Sequence, residues 1–535
     1  MLFFSKEFHF FKKAKKIKNL RNINTQNMAS DIAKEIMLIN SFVTGWNSGR
    51  SNIFSIKHPI CYQCRARSSW FSAYHSSMLI MSGASLNMAL FVPSLIALTS
   101  FLFIFFMISF LLSESKFLPF VSLFMILTMG GFGFMSWFSA KGRRDMNADY
   151  VYNNGFSNSC WLHPILLYLI PHRNIPFILY SFSSILAIFI KMKKPSPNEY
   201  IAIGILAAFT APMQHQGFFS ILIYLISYFA ILFFNERNNR NLMKVIWKSL
   251  QKMIIAFVVV VFIPLMNYRK TGMDLSWIRF ELLWNEQIQN GYYFPLLVLW
   301  FQNLGFYPFL ALFVLWFFLE KKQLLLYLAT LPGFIIGNII LFQQINYHSI
   351  FFFYTTWILF GCILVPIALK KISFSFKNEE TQGVFLALSI IFISTTSASS
   401  LLGLKKQWNY DQKIWYEAEE KVADFIIKNT KKSDIFLAPD SIFNPVTTLA
   451  GRTSFKTHPR TNLEMNYIWF YYRDEVAKLV KNPESDILPM ITYILQHDRQ
   501  HYEEHLNKTA IGENGPWKLV FAYESYQLFK RVPSH

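Results

Sequence analysis

Asp31 and Glu35 stand one helical turn apart in the stretch SDIAKEIMLINSF, Ser30 to Phe42, with mostly apolar residues around them. Residues at i and i+4 share a helix face. Two carboxylates so placed repel when both are ionised, which raises the pKa of one. Such a pair suits acid–base chemistry, in which a carboxylate takes the proton of an attacking hydroxyl. The competing reading is structural: Ser30 is a good N-cap, and an acid in the first turn interacts well with the helix dipole.

Other polar clusters have a similar double reading. Asp145 and Asp149 follow Arg143 and Arg144. They form an acidic pair suited to assisting a divalent cation or an acceptor, beside guanidiniums that grip phosphate oxygens. The same residues would also make an ordinary solvated loop with internal ion pairs. His172 and Arg173 in PHRN, and His215 in APMQHQGFF, fall where apolar runs end or begin. A histidine near hydrocarbon is costly enough to suggest a role, although an interfacial histidine bonded to backbone would look the same. Asn346 and His348 in QINYHSIF form a further cluster. Arg269 and Lys270 follow an apolar run directly, where they either meet a phosphate head group or snorkel to the surface. Arg452, in LAGR, reads as structural. Cys61 and Cys64 make a single C-x-x-C without the second pair that a zinc site wants, so no metal site is assigned to them.

These residues need a scaffold, and the composition says which kind. The chain has 535 residues, 53% hydrophobic and 18% aromatic, with only 15% charged and 57 Phe. Soluble chains run near 25% charged, so this is a polytopic membrane protein. The net charge of +20 does not indicate nucleic acid, because the Lys and Arg lie in short runs between apolar stretches and no nucleic-acid motif accompanies them. The apolar runs are Leu86–Leu112, Phe117–Ser139, Asn174–Ile190, Asn198–Pro212, Gly217–Phe234, Leu250–Met266, Asn303–Leu319, Gln323–Phe342, Ile350–Leu369 and Gly383–Leu402. Two shorter pieces, Trp161–Ile170 and Tyr292–Trp300, read as re-entrant or interfacial.

With the loop before Leu86 on the non-cytoplasmic side, every cytoplasmic loop is basic, as the positive-inside rule demands. One such loop holds Arg237, Arg240, Lys244 and Lys248. The expected fold is an all-α membrane bundle of about ten transmembrane helices with a C-terminal non-cytoplasmic α/β domain. The expected divisions are a basic tail at 1–30, a first lumenal loop with amphipathic helices at 31–85, the bundle at 86–402 and the α/β domain at 403–535. The basic tail would lie on the wrong side, which a missing first span would repair; an interfacial amphipathic segment and a targeting peptide are the other readings.

In the last quarter, Ile414, Ala418, Val422 and Phe425 recur at helical spacing. DIFLAPD predicts a short strand, FNPVTTLAGR a short helix opened by Pro445 and stopped by Gly451, and WKLVFAYESYQLFKRV a hairpin turning near Glu524 and Ser525. Asn507 begins an Asn-Lys-Thr glycosylation acceptor.

The stretches SDIAKEIMLINSF, HPILLYLIPHRNIPF, GILAAFTAPMQHQGFF, LWFQNLGFYPFLALF, ILFQQINYHSIFFFYTTWILFG and DIFLAPDSIFNPVTTLAGR, in that order, resemble a branch of the GT-C-type membrane glycosyltransferases. The resemblance implies sugar transfer from a polyprenyl-phosphate-linked donor to a lumenal acceptor in the endoplasmic reticulum or another endomembrane. Membrane lipid and the lipid-linked sugar would be the partners. It places Asp31 where such enzymes carry the acid of the first outer loop. Relatives tend to carry His where Glu35 stands, and a Trp/Asp/Asn/Lys cluster where this chain reads QINYHSIF. A non-catalytic membrane scaffold therefore remains as an alternative, and a polytopic transporter as another, although the span pattern shows no inverted repeat.

Overall fold

The computed structural model describes residues 33, 35–49, 56–57, 59, 70–128, 131, 174–192, 194–269, 279–280, 282, 288, 291, 293–341, 349–395, 415–439, 441, 443–455, 491–497 and 517–532. In chain order the helices begin with α1 (35–43), followed by a 3-10 turn at Trp46–Gly49. Next come α2 (Trp70–Met81), α3 (Leu86–Ser113), α4 (Leu118–Thr128), α5 (Asn174–Lys191), α6 (Pro197–Phe209), α7 (His215–Glu236) and α8 (Arg240–Arg269). Strand β1 (Arg279–Phe280) precedes α9 (Pro295–Leu304). The run Tyr307–Phe309, Leu310–Val314 and Leu315–Phe318 makes a single continuous segment, α10. Then follow α11 (Lys321–Leu328), α12 (Leu331–Ile339), β2 (Ile340–Leu341), α13 (Ser349–Ser373) and α14 (Glu379–Thr395). The C-terminal elements are α15 (Glu417–Asn429), β3 (Ile435–Leu437), α16 (Pro445–Thr448), β4 (Thr453–Ser454), β5 (Tyr493–His497), β6 (Trp517–Tyr523) and β7 (Tyr526–Arg531).

The chain divides into two compact units. One comprises residues 92–262 and 274–410. Among the described residues, six helical stretches are long and apolar enough to cross a membrane: Leu86–Ser113, Asn174–Lys191, Gly217–Glu236, Arg240–Phe262, Lys321–Ile339 and Phe353–Ser373. Apolar side chains such as Phe103 on α3 and Ile255 and Val259 on α8 are exposed, as hydrocarbon-facing side chains would be. The segment Phe353–Ser373 is the reverse, 94% buried, and packs against α4, α7, α12 and α14.

That buried helix carries polar groups which must be satisfied internally. Trp357 Nε1 donates to Tyr327 Oη at 2.8 Å, and Tyr327 Oη donates to the carbonyl of Ala311 within the π turn Leu310–Val314. Tyr307 Oη donates to the carbonyls of Trp357 and Ile358, each at 3.1 Å. Gly361 makes room for this hydroxyl, since a Cβ there would lie 1.9 Å from it.

Several expected boundaries move, each for a local reason. The apolar run from Leu250 is helical from Arg240, because Arg, Lys, Leu and Met are good helix formers whatever their polarity. Arg240, Lys244 and Lys248 are therefore helical residues and not loop residues. The run Asn303–Leu319 is broken at Gly305, whose φ of 61° only glycine adopts readily, and the short piece from Tyr292 becomes α9 through Leu304. The run Gln323–Phe342 becomes α11 and α12, with a joint at Ala329 and Thr330 ahead of Pro332 at the second helix start. Asn198–Pro212 is a 13-residue helix followed by a turn. The described parts of Phe117–Ser139 and Gly383–Leu402 are α4 and α14. Trp161–Ile170 lies outside the described residues.

The second unit gathers residues 1–91, 263–273 and 411–535. Its sheet has the order β4-β3-β5-β7-β6, parallel from β4 to β5 and antiparallel beyond. The last two strands form the expected hairpin, with Glu524 in its turn at φ 48°. Ala418, Val422, Ala423 and Ile426 of α15 pack with Phe436, Val446, Tyr493 and Leu528 into one core. Asn444 caps α16 through Val446 N at 2.9 Å, with Pro445 at its first position. Helix α1 joins this unit by close backbone approach: a Cβ on Gly45 would lie 1.8 Å from the Gly451 carbonyl oxygen. Substituting Gly45→Ala should destabilise the folded chain by about 3 kcal/mol through overpacking, whereas Gly49→Ala, with open space around it, should be neutral. Thermal unfolding of the purified protein compares them; equal midpoints would refute the close approach.

Candidate functional site

The described residues of helix α1 are mostly buried. Ala33 and Ile36 through Ile39 are buried, and so is Glu35 at 6% exposure. A buried carboxylate costs several kcal/mol unless it is hydrogen-bonded. Here Ser72 of α2 donates its hydroxyl to Glu35, 3.0 Å from Oε1 and 3.2 Å from Oε2. The two helices are held together by an apolar cluster of Leu38, Ile39, Phe42, Trp70 and Ala73, with Phe42 and Tyr74 edge to face at 5.4 Å. Asn47 organises the turn after α1. It donates to Ser41 Oγ at 2.9 Å and the Lys57 carbonyl at 2.7 Å, and accepts from Lys57 N at 2.9 Å. Lys57 lies over the Trp46 ring, 3.6 Å from its centre.

The far end of α1 meets the end of α16. Asn40 Nδ2 donates to the Thr448 carbonyl at 2.6 Å, and Thr44 Oγ1 to the Ala450 carbonyl at 3.0 Å. Arg452, buried at 2% exposure, closes the seam. Its guanidinium donates to the Thr44 carbonyl, to the Ile427 carbonyl at 3.3 Å, and to the carbonyl and hydroxyl of Thr430 at 3.2 and 3.1 Å. Burial pushes the Arg452 guanidinium below its ordinary range, and the Asp434 charge opposes that fall. The structural reading of Arg452 from LAGR agrees with this arrangement.

The other candidate residues are placed less fully. Asp31, Asp145, Asp149, His172, Arg173, Asn346, His348 and Asn507 lie outside the described residues, as do Lys270, Cys61, Cys64 and Cys160. His215 begins α7 and Arg269 ends α8, as backbone positions. Helices α5 and α7 run parallel with adjacent starts, because Gly217 lies against Ile178: a Cβ on it would be 2.6 Å from Ile178 Cδ1. The start of α5, which directly follows the PHRN arginine, thus lies near the start of α7. The β1–β2 pair, Arg279 with Leu341 and Phe280 with Ile340, anchors the chain just before the segment that carries Asn346 and His348. Among the described residues, no group of three His, Cys, Asp or Glu could hold a metal ion, and Cys362 is a buried free thiol.

Two features were missed in the sequence. Ser72 as the partner of Glu35 carries no signal, being one serine among several in α2. The role of Asn40, Thr44 and Asn47 had a faint one, since three hydrogen-bonding residues at the end of an apolar helix invite partners for its orphan carbonyls.

No family model matches the chain, and no curated protein matches it. It is similar to solved structures at low identity. One is the Archaeoglobus fulgidus oligosaccharyltransferase tethered with an acceptor peptide, 11% identical, with 88% of this chain and 65% of that chain covered and a TM-score of 0.49. Another is ArnT from Cupriavidus metallidurans bound to undecaprenyl phosphate, 10% identical, with 94% of each chain covered and a TM-score of 0.47. The chain thus spans about 65% of the length of that oligosaccharyltransferase.

The Arg452 cluster makes a quantitative prediction. Arg452→Gln leaves buried carbonyls without donors and should cost about 3 kcal/mol or more; Arg452→Lys should recover only part of this, because an ammonium lacks the planar fork. Denaturation midpoints measure both, and a lysine variant as stable as wild type would contradict the multidentate role.

Proposed function

We propose that this chain is a GT-C-type membrane glycosyltransferase, moving a sugar from a polyprenyl-phosphate-linked donor to an acceptor on the non-cytoplasmic side of an endomembrane. The observation that supports it best is Glu35. A carboxylate is kept inside an apolar helix of the first polar segment, held by Ser72, in the compact unit that contains the C-terminal sheet. Buried, hydrogen-bonded acids of this kind cluster at functional sites. In this reading Asp31, one turn before Glu35, takes the proton of the acceptor hydroxyl as the new glycosidic bond forms and the sugar leaves its phosphate. Glu35 adjusts the charge beside it. Arg173 and Arg269 are each suited to a donor phosphate, and His172, His215, Asn346 and His348 are each candidates for substrate binding. Asp145 and Asp149 are the pair suited to a divalent cation.

The segment QINYHSIF favours a second reading. It has no acid and no lysine, so a chain that has lost a charged substrate contact would serve as a membrane scaffold.

Transfer of labelled sugar in membranes separates the two. Asp31→Asn should lower the rate at least about 100-fold, the usual scale for removing a general base, with an unchanged unfolding midpoint. Equal transfer by variant and wild type would remove Asp31 from the mechanism. Sidedness has its own test. Asn507→Gln should abolish a glycosidase-sensitive gel shift of the full chain; a wild-type chain whose mobility ignores the glycosidase would count against a lumenal C-terminal segment.

A further inference from the structure

Arg240, Lys244, Lys248 and Lys252 recur every four residues along α8, so they form one stripe on one face. All four are exposed. The opposite face, Ile246, Ser249, Leu250 and Met253, is buried. Trp247, 54% exposed, and Val245 lie beside the stripe on the outward side. Beyond Lys252 the outward residues change character: Ile254, Ile255, Val258, Val259 and Phe262 are exposed and apolar. The outward face of the helix therefore changes from cationic to apolar near Lys252, and its cationic part is about 18 Å long, at 1.5 Å per residue. No acid occurs between Arg240 and Arg269, and Glu236 is the one acid in the preceding turn, next to Arg237.

Two other basic residues of this unit, Lys322 and Lys371, have a visible structural use. Lys322 Nζ donates to the carbonyls of Ile190 and Met192 at 2.8 and 3.3 Å, capping the end of α5. Lys371 Nζ donates to the Phe318 carbonyl at 2.9 Å, at the end of α10. Among the described residues the four cations of the α8 stripe make no side-chain hydrogen bond or ion pair. Four exposed cations on one face, ending where an exposed apolar face begins and flanked by an exposed Trp, match an anionic bilayer surface. Its phosphates meet the cations, its acyl chains meet the isoleucines, and tryptophan favours the boundary between them.

We propose that the Arg240–Lys252 face of α8 is a docking surface for anionic phospholipid head groups of the adjoining leaflet. The occupant is the lipid and not a soluble phosphate, because the cationic and apolar parts of the outward face are continuous. This surface is independent of the proposed transferase chemistry.

The test titrates phosphatidylserine or phosphatidylcholine into the purified full-length chain in neutral detergent and follows thermal unfolding. Phosphatidylserine should raise the midpoint and phosphatidylcholine should not, with the gain weakening as salt is added. The fourfold variant Arg240→Gln/Lys244→Gln/Lys248→Gln/Lys252→Gln should match wild type without lipid. Its phosphatidylserine affinity should fall about 100-fold or more, since each cation near such a surface contributes roughly fivefold. Full retention of the gain by that variant overturns the proposal. So does a wild-type chain indifferent to phosphatidylserine, or an equal gain from inorganic phosphate alone. If the fourfold variant does not fold, Lys244→Gln/Lys248→Gln decides: a weakened gain supports the surface and an undiminished one overturns it.

Discussion

The unit that carries the candidate acid depends on two helix ends meeting carbonyl to carbonyl. Helix ends leave orphan carbonyls, and here α1 and α16 present theirs to each other. Gly45 and Gly451 let the backbones approach, Gly451 at φ 64°, where a Cβ would lie 2.3 Å from the Asn40 oxygen. Each segment then satisfies the other: Asn40 and Thr44 donate to carbonyls at the end of α16, and Arg452 returns a donor to Thr44. A guanidinium suits this place because it offers several donors in one plane and accepts none. The orientation of α1, and with it the position of Glu35, follows from a contact whose partners are about 400 residues apart in sequence.

The helical unit faces a different demand. In hydrocarbon every polar group needs an internal partner, and around the most buried helix, α13, Tyr side chains of neighbouring segments supply such partners. Tyr307 and Tyr327 each send a hydroxyl to a backbone carbonyl of a neighbouring segment, one of them inside a π turn. Elsewhere the hydroxyls of Ser183, Tyr200, Ser220 and Tyr224 are buried without a hydrogen-bond partner among the described residues. Groups like these are where ordered water enters a bundle.

Much of the C-terminal fold was legible because its signals are local. Pro445 and Gly451 bracket a helix, the hairpin alternates with period two, and Ala418 and Val422 fall on the buried face of α15. Strands β4 and β5 were not legible, since a two-residue strand and the five residues Tyr493–His497 acquire meaning only from the neighbours they pair with. The membrane helices were legible as apolar runs, yet their ends were not. Hydropathy marks where hydrocarbon stops, whereas a helix stops where propensity or a glycine stops it, as at Arg240 and Gly305. For the candidate site, spacing marked Glu35 as a residue of interest. Its burial and its Ser72 partner come from packing between α1 and α2, which no periodicity encodes.

The charge of the chain illustrates the same limit. A net +20 is one number, but the cations behind it do physically separate things. Arg452 is buried and binds carbonyls inside a soluble-type core. Lys322 and Lys371 cap helix ends by donating to backbone carbonyls. Arg240, Lys244, Lys248 and Lys252 stay exposed on one helical face. Replacing any of these by another cation would keep the net charge and change the physics, because the first needs a planar fork, the second a flexible reach and the third only a charge at the right depth. Position relative to the backbone carbonyls and to the hydrocarbon boundary decides what each cation contributes.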